Sequence, residues 1–365
     1  MRTSRTWTNV DVGQPLTHRG VVATHLHALS GAIHEAAMGQ ADLVASLLGP
    51  WADQPVERFD DYHSFVANDG SPVEFSFAMA RSGAEARLLF EPLDIPQARP
   101  FSPHLAGHRF VQRLDDILGV DVSSFRRVED AFTPLSSGGA FSMLCSAALR
   151  PGGAALFKVY LHAVVGGLEA HEVIGEAMGR LGMDEHWALL DERLGAGWFD
   201  SPQQEIVGFA LDLGGQPEAR VKLYLRHTGC GLTEYERFAG LAQDHQPDVF
   251  GKILQHLYGD AVASLAKAPM TCLSFREHHP EPASITLYCP LDPNVGDDAE
   301  ASERVIELLE ISGIATELFR KVATVISGRD LTRGHRLSWV SYKRPADPVV
   351  TVYSGLDGTP QERPW

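Results

Sequence analysis

Long apolar runs are missing from this chain. No stretch approaches the roughly 20 consecutive apolar residues that a membrane-crossing helix requires, so no membrane partner is expected. The opening segment, Met1 to Arg19, carries Arg2 and Arg5 with no apolar run behind them and does not read as a secretory signal. Cysteine is scarce: Cys145, Cys230, Cys272 and Cys289 lie far apart and form no C-x-x-C pair. That spacing excludes a disulfide frame or zinc knuckle and predicts reduced thiols, which makes a cytoplasmic protein the expectation. Basic residues are in deficit, 31 Lys and Arg against 47 Asp and Glu, for a formal net charge of -16. The chain as a whole therefore repels nucleic acid and anionic membrane, and any local cluster of cations needs its own reason.

Several catalytic signatures are absent too. There is no G-x-x-x-x-G-K-[ST] phosphate loop and no G-x-S-x-G nucleophile elbow. His171-Glu172 lacks the second histidine of a zinc-protease helix. Asp60-Asp61, Asp115-Asp116 and Asp297-Asp298 fail the D-D-x-x-D spacing of a magnesium clamp and read as solvated faces or helix-start charges. Arg276 to Glu281, the densest group of candidate ligands, reads as a loop. No metal is expected.

What is present is a globular balance, 44% apolar and 21% charged, with two kinds of segment in turn. Apolar residues three or four apart predict helices over Ala32 to Leu48, His108 to Leu118, Leu168 to Leu181, Tyr235 to Ala242, Phe250 to Leu265 and Ser302 to Val325. Thr233 with Glu236 suggests a capping box. Ten strand-like stretches fall between them in adjacent pairs: Val73 to Met79, Ala86 to Glu91, Met143 to Leu149, Ala155 to His162 and Ile206 to Leu213, then Ala219 to His227, Met270 to Phe275, Ser284 to Cys289, His335 to Tyr342 and Val349 to Tyr353. Turns such as Pro151-Gly152-Gly153 join the pairs, so the strands are antiparallel. No low-complexity linker divides residues 1 to 365, and the expectation is a single domain of four or five helix-and-hairpin repeats.

The strand faces carry the chemistry. Residues two apart share a face, so Lys158, Tyr160 and His162 lie together, opposite Phe157, Val159 and Leu161. Arg220, Lys222, Tyr224 and Arg226 lie opposite Val221, Leu223 and Leu225. Thr286 with Tyr288, and Thr351 with Tyr353, repeat the scheme. An ordinary half-solvated sheet accounts for any one of these strands. Four faces without an acid, in a protein rich in acid, point instead to a concave site for a polyanion beside a carbocation. Closing the sheet into a barrel puts that row in the lumen.

At these residues the chain resembles the dimethylallyl tryptophan synthase family of indole prenyltransferases. The resemblance runs through short motifs in order: Asp69-Gly70-Ser71-Pro72-Val73-Glu74 with Ser76, Ala86-Arg87-Leu88-Leu89-Phe90-Glu91-Pro92-Leu93, the Lys158/Tyr160 and Arg220/Lys222/Tyr224 strands, Thr286-Leu287-Tyr288-Cys289-Pro290, and Arg344 with Val350-Thr351-Val352-Tyr353. The length is like that of bacterial members. The resemblance implies an α+β fold, a ten-stranded antiparallel barrel with helices outside and a solvent-filled lumen. It implies dimethylallyl transfer from its diphosphate to the indole of tryptophan or a tryptophan-derived compound, with no cofactor beyond that co-substrate and no metal.

The implied roles are diphosphate binding for Arg87, Lys158, Arg220, Lys222 and Arg344, and a shield around the allyl cation for Tyr160, Tyr224, Tyr288 and Tyr353. Glu74 would accept the indole N–H, and His162, Thr286 and Trp339 are candidates for the acceptor pocket. Partners would be small molecules only, the protein being a monomer or homodimer. A phenolic or tyrosine acceptor, or a non-catalytic barrel holding a phosphorylated or lipid-like ligand, are the alternatives. One departure stands out. Many members carry a lysine on the strand before Lys158 as the proposed base for the ring proton, and Phe141 to Ala148 has none. Glu74, the released diphosphate or a water beside His162 are the candidates in its place.

Overall fold

The computed structural model describes residues 16–33, 37–56, 64–93, 102–132, 143–163, 169–215, 219–327, 334–343 and 346–355. Ten strands close into one barrel: β1 (Val73–Ala80), β2 (Gly83–Phe90), β3 (Met143–Leu149), β4 (Leu156–Leu161), β5 (Gln204–Asp212), β6 (Val221–His227), β7 (Met270–Arg276), β8 (His279–Pro290), β9 (Leu337–Lys343) and β10 (Val349–Ser354). Each strand pairs antiparallel with its sequence neighbours, and β10 pairs back onto β1 with Ser76 opposite Tyr353. A closed sheet has no edge to protect. Helices precede the hairpins in pairs: α1 (His18–Ile33) and α2 (Met38–Leu47), α3 (Ser102–Leu118) and α4 (Ser123–Val128), α5 (Ala170–Arg180) and α6 (Asp184–Leu194), α7 (Leu232–Ala239) and α8 (Val249–Tyr258), α9 (Asp298–Ile311) and α10 (Glu317–Ser327). The α+β barrel expected from the sequence is the observed fold, built from five ααββ units.

The hydrophobic core is a sleeve between barrel and helices. Val73, Phe75, Phe77 and Met79 on β1 point outward into it, as do Phe157, Val159 and Leu161 on β4. Phe77 stacks on Phe319 of α10 at 6.0 Å, and Phe90 of β2 meets Phe110 of α3 edge-on at 5.0 Å. Each such ring contributes about 1.5–3 kcal/mol by leaving water. With the apolar face of every strand spent on the sleeve, the alternate residues have only the lumen to occupy.

The strands match their sequence expectation to within a few residues; the helices diverge more. The single helix read over Ser302 to Val325 is two, because Gly313 takes a left-handed turn (φ 66°) after Ile311. α1, α4 and α6 carry weak or short apolar periodicity that does not mark them as helices in the sequence. Phe250 to Leu265 is helical only to Tyr258 and then tightens into a 3-10 turn over Gly259–Ser264. The capping box is not formed: α7 is capped from Gly231 without a side-chain bond. Glu236 instead accepts backbone N–H bonds from Gly251 (2.7 Å) and Asp248 (3.1 Å) at the start of α8. Arg276 and His279 end one strand and begin the next, so the ligand-dense stretch is a hairpin turn. Asp297 caps α9 through Ala299 and Glu300, a helix-start charge as expected. Because Glu236 satisfies two donors at the head of α8, Glu236→Ala is expected to lower unfolding free energy by about 1 kcal/mol, read as a reduced denaturation midpoint.

Candidate active site

Three tiers of side chains line the lumen, set by the two-residue period of the strands. Lys158 and Lys222 project from β4 and β6, and Arg87 from β2, each on the face opposite the sleeve. Lys158 Nζ lies 3.6 Å from Asp212 Oδ1, and Arg220 Nε donates to Asp212 Oδ2 at 2.8 Å. Arg87 donates to Glu85 through Nε at 2.6 Å, and Arg150 reaches the other oxygen of Glu85 at 3.1 Å. Lys343 of β9, opposite Thr286 on β8, joins the group within electrostatic reach of Arg87, Lys222, Arg220 and Lys158. Five lumen cations, with Arg150 at the rim, thus share two carboxylates.

That imbalance shows in their ionisation. Burial first, then the neighbouring cations, drive Lys158 and Lys343 well below the usual lysine range, and Lys222 is lowered for the same reasons. Asp212 is buried, which alone would raise its pKa, yet Lys158, Lys222 and Arg220 hold it below the ordinary carboxylate range. The tier is short of negative charge. A polyanion placed among these side chains would supply it.

Two residues further along each strand stand the tyrosines. Tyr160, Tyr224, Tyr288 and Tyr353 form a continuous collar, with successive ring centres 5.8, 5.8 and 5.9 Å apart and planes tilted by 45–57°. Burial raises all four phenols, Tyr160 to about 12 and Tyr224 and Tyr288 well above the ordinary value, so they stay protonated donors. Small residues make room: Ala210 lies beside Tyr160 on β5 and Gly208 beside Tyr224.

Glu74 occupies the third tier, two residues beyond Ser76, which pairs with both Tyr353 and Arg87. It is buried, and Ser338 donates to its Oε1 at 2.7 Å. The strand register shifts where Trp339 and Leu337 meet Tyr353 and Ser354, and this irregularity brings Ser338 to the lumen. Burial pushes the Glu74 carboxyl up to about 7, against the Ser338 bond and the charge of Lys267, with Asp69 adding to the rise. Lys267 is itself buried, donates to Asn68 Oδ1 at 2.7 Å and stands 4.5 Å over the Trp339 ring. Asn68 is fixed in turn by Asp292 at 2.8 Å.

The residues picked from sequence fall into these tiers with some redistribution. Arg87, Lys158, Arg220, Lys222 and the four tyrosines come together as read. Arg344 lies outside the described residues, and Lys343 beside it faces the cations. Thr286 sits in the cationic tier between Cys272 and Lys343, not with Glu74. Trp339 lies beside Lys267 near Glu74, and His162 follows the end of β4 above Tyr160, half-buried. Lys343, Asp212 and Glu85 escaped the sequence reading, although each continues the period-two pattern of its own strand. Lys267 and Ser338 left no signal, because one is on a loop and the other on a strand irregularity. β3 offers Leu144, Ser146 and Ala148 to the lumen and no titratable group. Among the described residues no group of three or more His, Cys, Asp or Glu is gathered to hold a metal ion, and no helix is long and apolar enough to cross a membrane.

An anion that raises the depressed lysines must draw protons from solvent. Inorganic diphosphate is therefore expected to bind with net proton uptake, and more weakly as pH rises through the lowered lysine range. Calorimetry in buffers of different ionisation enthalpy measures this. Lys222→Met is expected to reduce the uptake and weaken binding about tenfold or more; uptake unchanged in that variant would contradict the assignment.

Comparison with known proteins agrees with this geometry. The 6-dimethylallyltryptophan synthase of Micromonospora olivasterospora, solved in complex with DMASPP and Trp, is 28% identical, with a TM-score of 0.87 over 95% of this chain and 100% of that one. The 5-dimethylallyl tryptophan synthase of Streptomyces coelicolor, also with DMASPP and Trp, is 25% identical, with a TM-score of 0.83 over 96% and 98%. AnaPT of Neosartorya fischeri, at 17% identity and a TM-score of 0.75 over 96% and 97%, shares the fold. The sequence profile described as tryptophan dimethylallyltransferase matches residues 37–291. With most of its length matched and its barrel in common with such synthases, the chain belongs to the tryptophan dimethylallyltransferase family and is a prenyltransferase.

Proposed function

We propose that this enzyme transfers a dimethylallyl group from dimethylallyl diphosphate to the indole ring of free tryptophan. The observation that carries the reading is the tiered lumen: surplus cations, then a collar of phenols, then one buried carboxylate. The cationic tier would hold the diphosphate and stabilise it as the allylic C–O bond breaks. Tyrosine faces would steady the delocalised cation and keep water from trapping it as an alcohol. Glu74, ionised above about 7, would accept the indole N–H and add electron density as positive charge develops on the ring. Because β3 presents Leu144, Ser146 and Ala148 in place of a basic residue, we assign the ring proton to the departing diphosphate, which the cations keep in place.

Free tryptophan is favoured over a larger acceptor by the cation beside the carboxylate: Lys267 offers an amino-acid carboxylate a partner on the side of the lumen where Glu74 would take the ring. Solved relatives bound to Trp, at 25–28% identity, support the same choice.

Incubation with tryptophan and dimethylallyl diphosphate in the presence of EDTA is expected to yield a singly prenylated amino acid, detected by mass spectrometry; no product with tryptophan or any simple indole would overturn the reading. The pH profile of kcat/KM for tryptophan is expected to rise as Glu74 ionises near 7. Glu74→Gln is expected to lose that limb and roughly 100-fold in kcat/KM.

A further inference from the structure

Outside the lumen, two histidines on α3 stand in an arrangement that the transfer reaction does not use. His104 and His108 are four residues apart on one helix face, with their Nε2 atoms 2.9 Å apart. Their ring centres are 4.4 Å apart with planes at 55°. A collinear N–H···N hydrogen bond of that length would hold the ring centres about 5.2 Å apart, since each centre lies about 1.15 Å behind its nitrogen. The rings converge instead. An ion roughly 2.0–2.1 Å from both nitrogens would see them at about 90° and place the ring centres about 4.5 Å apart.

The surroundings suit a ligand pair. His108 presents Nδ1 to Glu129 Oε2 at 3.0 Å, and a carboxylate on the remote nitrogen is the support that metal-bound imidazoles commonly have. Nδ1 of His104 is buried with no partner among the described residues, so the proton that moves there when Nε2 takes the ion gains no hydrogen bond, and His108 is the better supported ligand of the two. A cleft of about 350 Å³ lined by His108, Arg109, Gln112, Phe125, Arg126 and Glu129 opens beside the His108 ring. Arg126, also on its wall, is paired with Asp115 at 2.5 Å.

We propose that His104 and His108 form a binding site for a divalent transition-metal ion, with Glu129 orienting His108 and water completing the coordination. The right angle between the two nitrogens suits square-planar or octahedral ions, copper(II) first and nickel(II) second, above tetrahedral zinc. The site lies on the outside of the barrel, on a helix packed against β3, so it acts on the stability of that wall and takes no part in the transfer.

Copper(II) chloride titrated into the intact protein by calorimetry tests it. One copper is expected to bind with micromolar affinity, to raise the thermal midpoint, and to give an electron paramagnetic spectrum with two-nitrogen coupling. His108→Asn, at a half-exposed position, is expected to weaken that binding at least about tenfold while the far-ultraviolet dichroism is unchanged; Glu129→Gln is expected to weaken it by about ten- to 100-fold. His104→Asn provides a second reading where it folds, and His108→Asn decides where it does not. Copper affinity and spectrum unchanged in His108→Asn would overturn the proposal, as would the absence of any tight copper site in the unaltered protein.

Discussion

Everything in this barrel depends on holding like charges together away from bulk water. Among the described residues, Lys158, Lys222, Lys343, Arg87 and Arg220 share the lumen with Asp212 and Glu85 as their counter-charges. Burying an unpaired cation is costly, and the fold meets that cost in two ways. The two carboxylates bind Arg87, Arg220 and Lys158 directly, and the lysines drift toward their neutral form. What remains is a site that becomes electrostatically whole when a polyanion enters. In the proposed reaction the same residues would stabilise the negative charge that develops on the leaving group.

Closure of the sheet is what makes this arrangement affordable. Outward residues of the ten strands pack with the helices into an aliphatic and aromatic sleeve, which supplies the stability that the lumen does not. Inward residues are thereby free to be chosen for chemistry. The period of two converts position along a strand into height along the barrel, so cation, phenol and carboxylate follow in that order on neighbouring strands. Glu74 sits on the far side of the tyrosine collar from the lysines, with Tyr353 between the two tiers.

Much of this is legible in the sequence, for a physical reason. A strand that is aliphatic on one side and cationic on the other is a strong pattern, and ten of them in adjacent pairs leave few folds open. Lys158 with Tyr160 and Lys222 with Tyr224 were readable because each pair obeys the alternation. Lys343 obeys it too, but it is the last residue of its strand, where alternation alone does not show how far the pattern runs. Ser338 faces Glu74 through a break in register, and Lys267 reaches Trp339 from a loop; neither follows any period. Thr286 pairs with Lys343 across two strands far apart in sequence, a neighbour that its own strand does not reveal. The helices were read less well because α1 and α6 owe their helicity to packing on the barrel more than to their own periodicity.

A crystal structure of the protein with dimethylallyl thiolodiphosphate and tryptophan tests the central claim most directly. The account predicts the diphosphate within hydrogen-bonding distance of Lys158, Lys222 and Arg87, the allyl chain inside the tyrosine collar, and the indole N–H on Glu74. A diphosphate bound outside the lumen, or an indole turned away from Glu74, would contradict it.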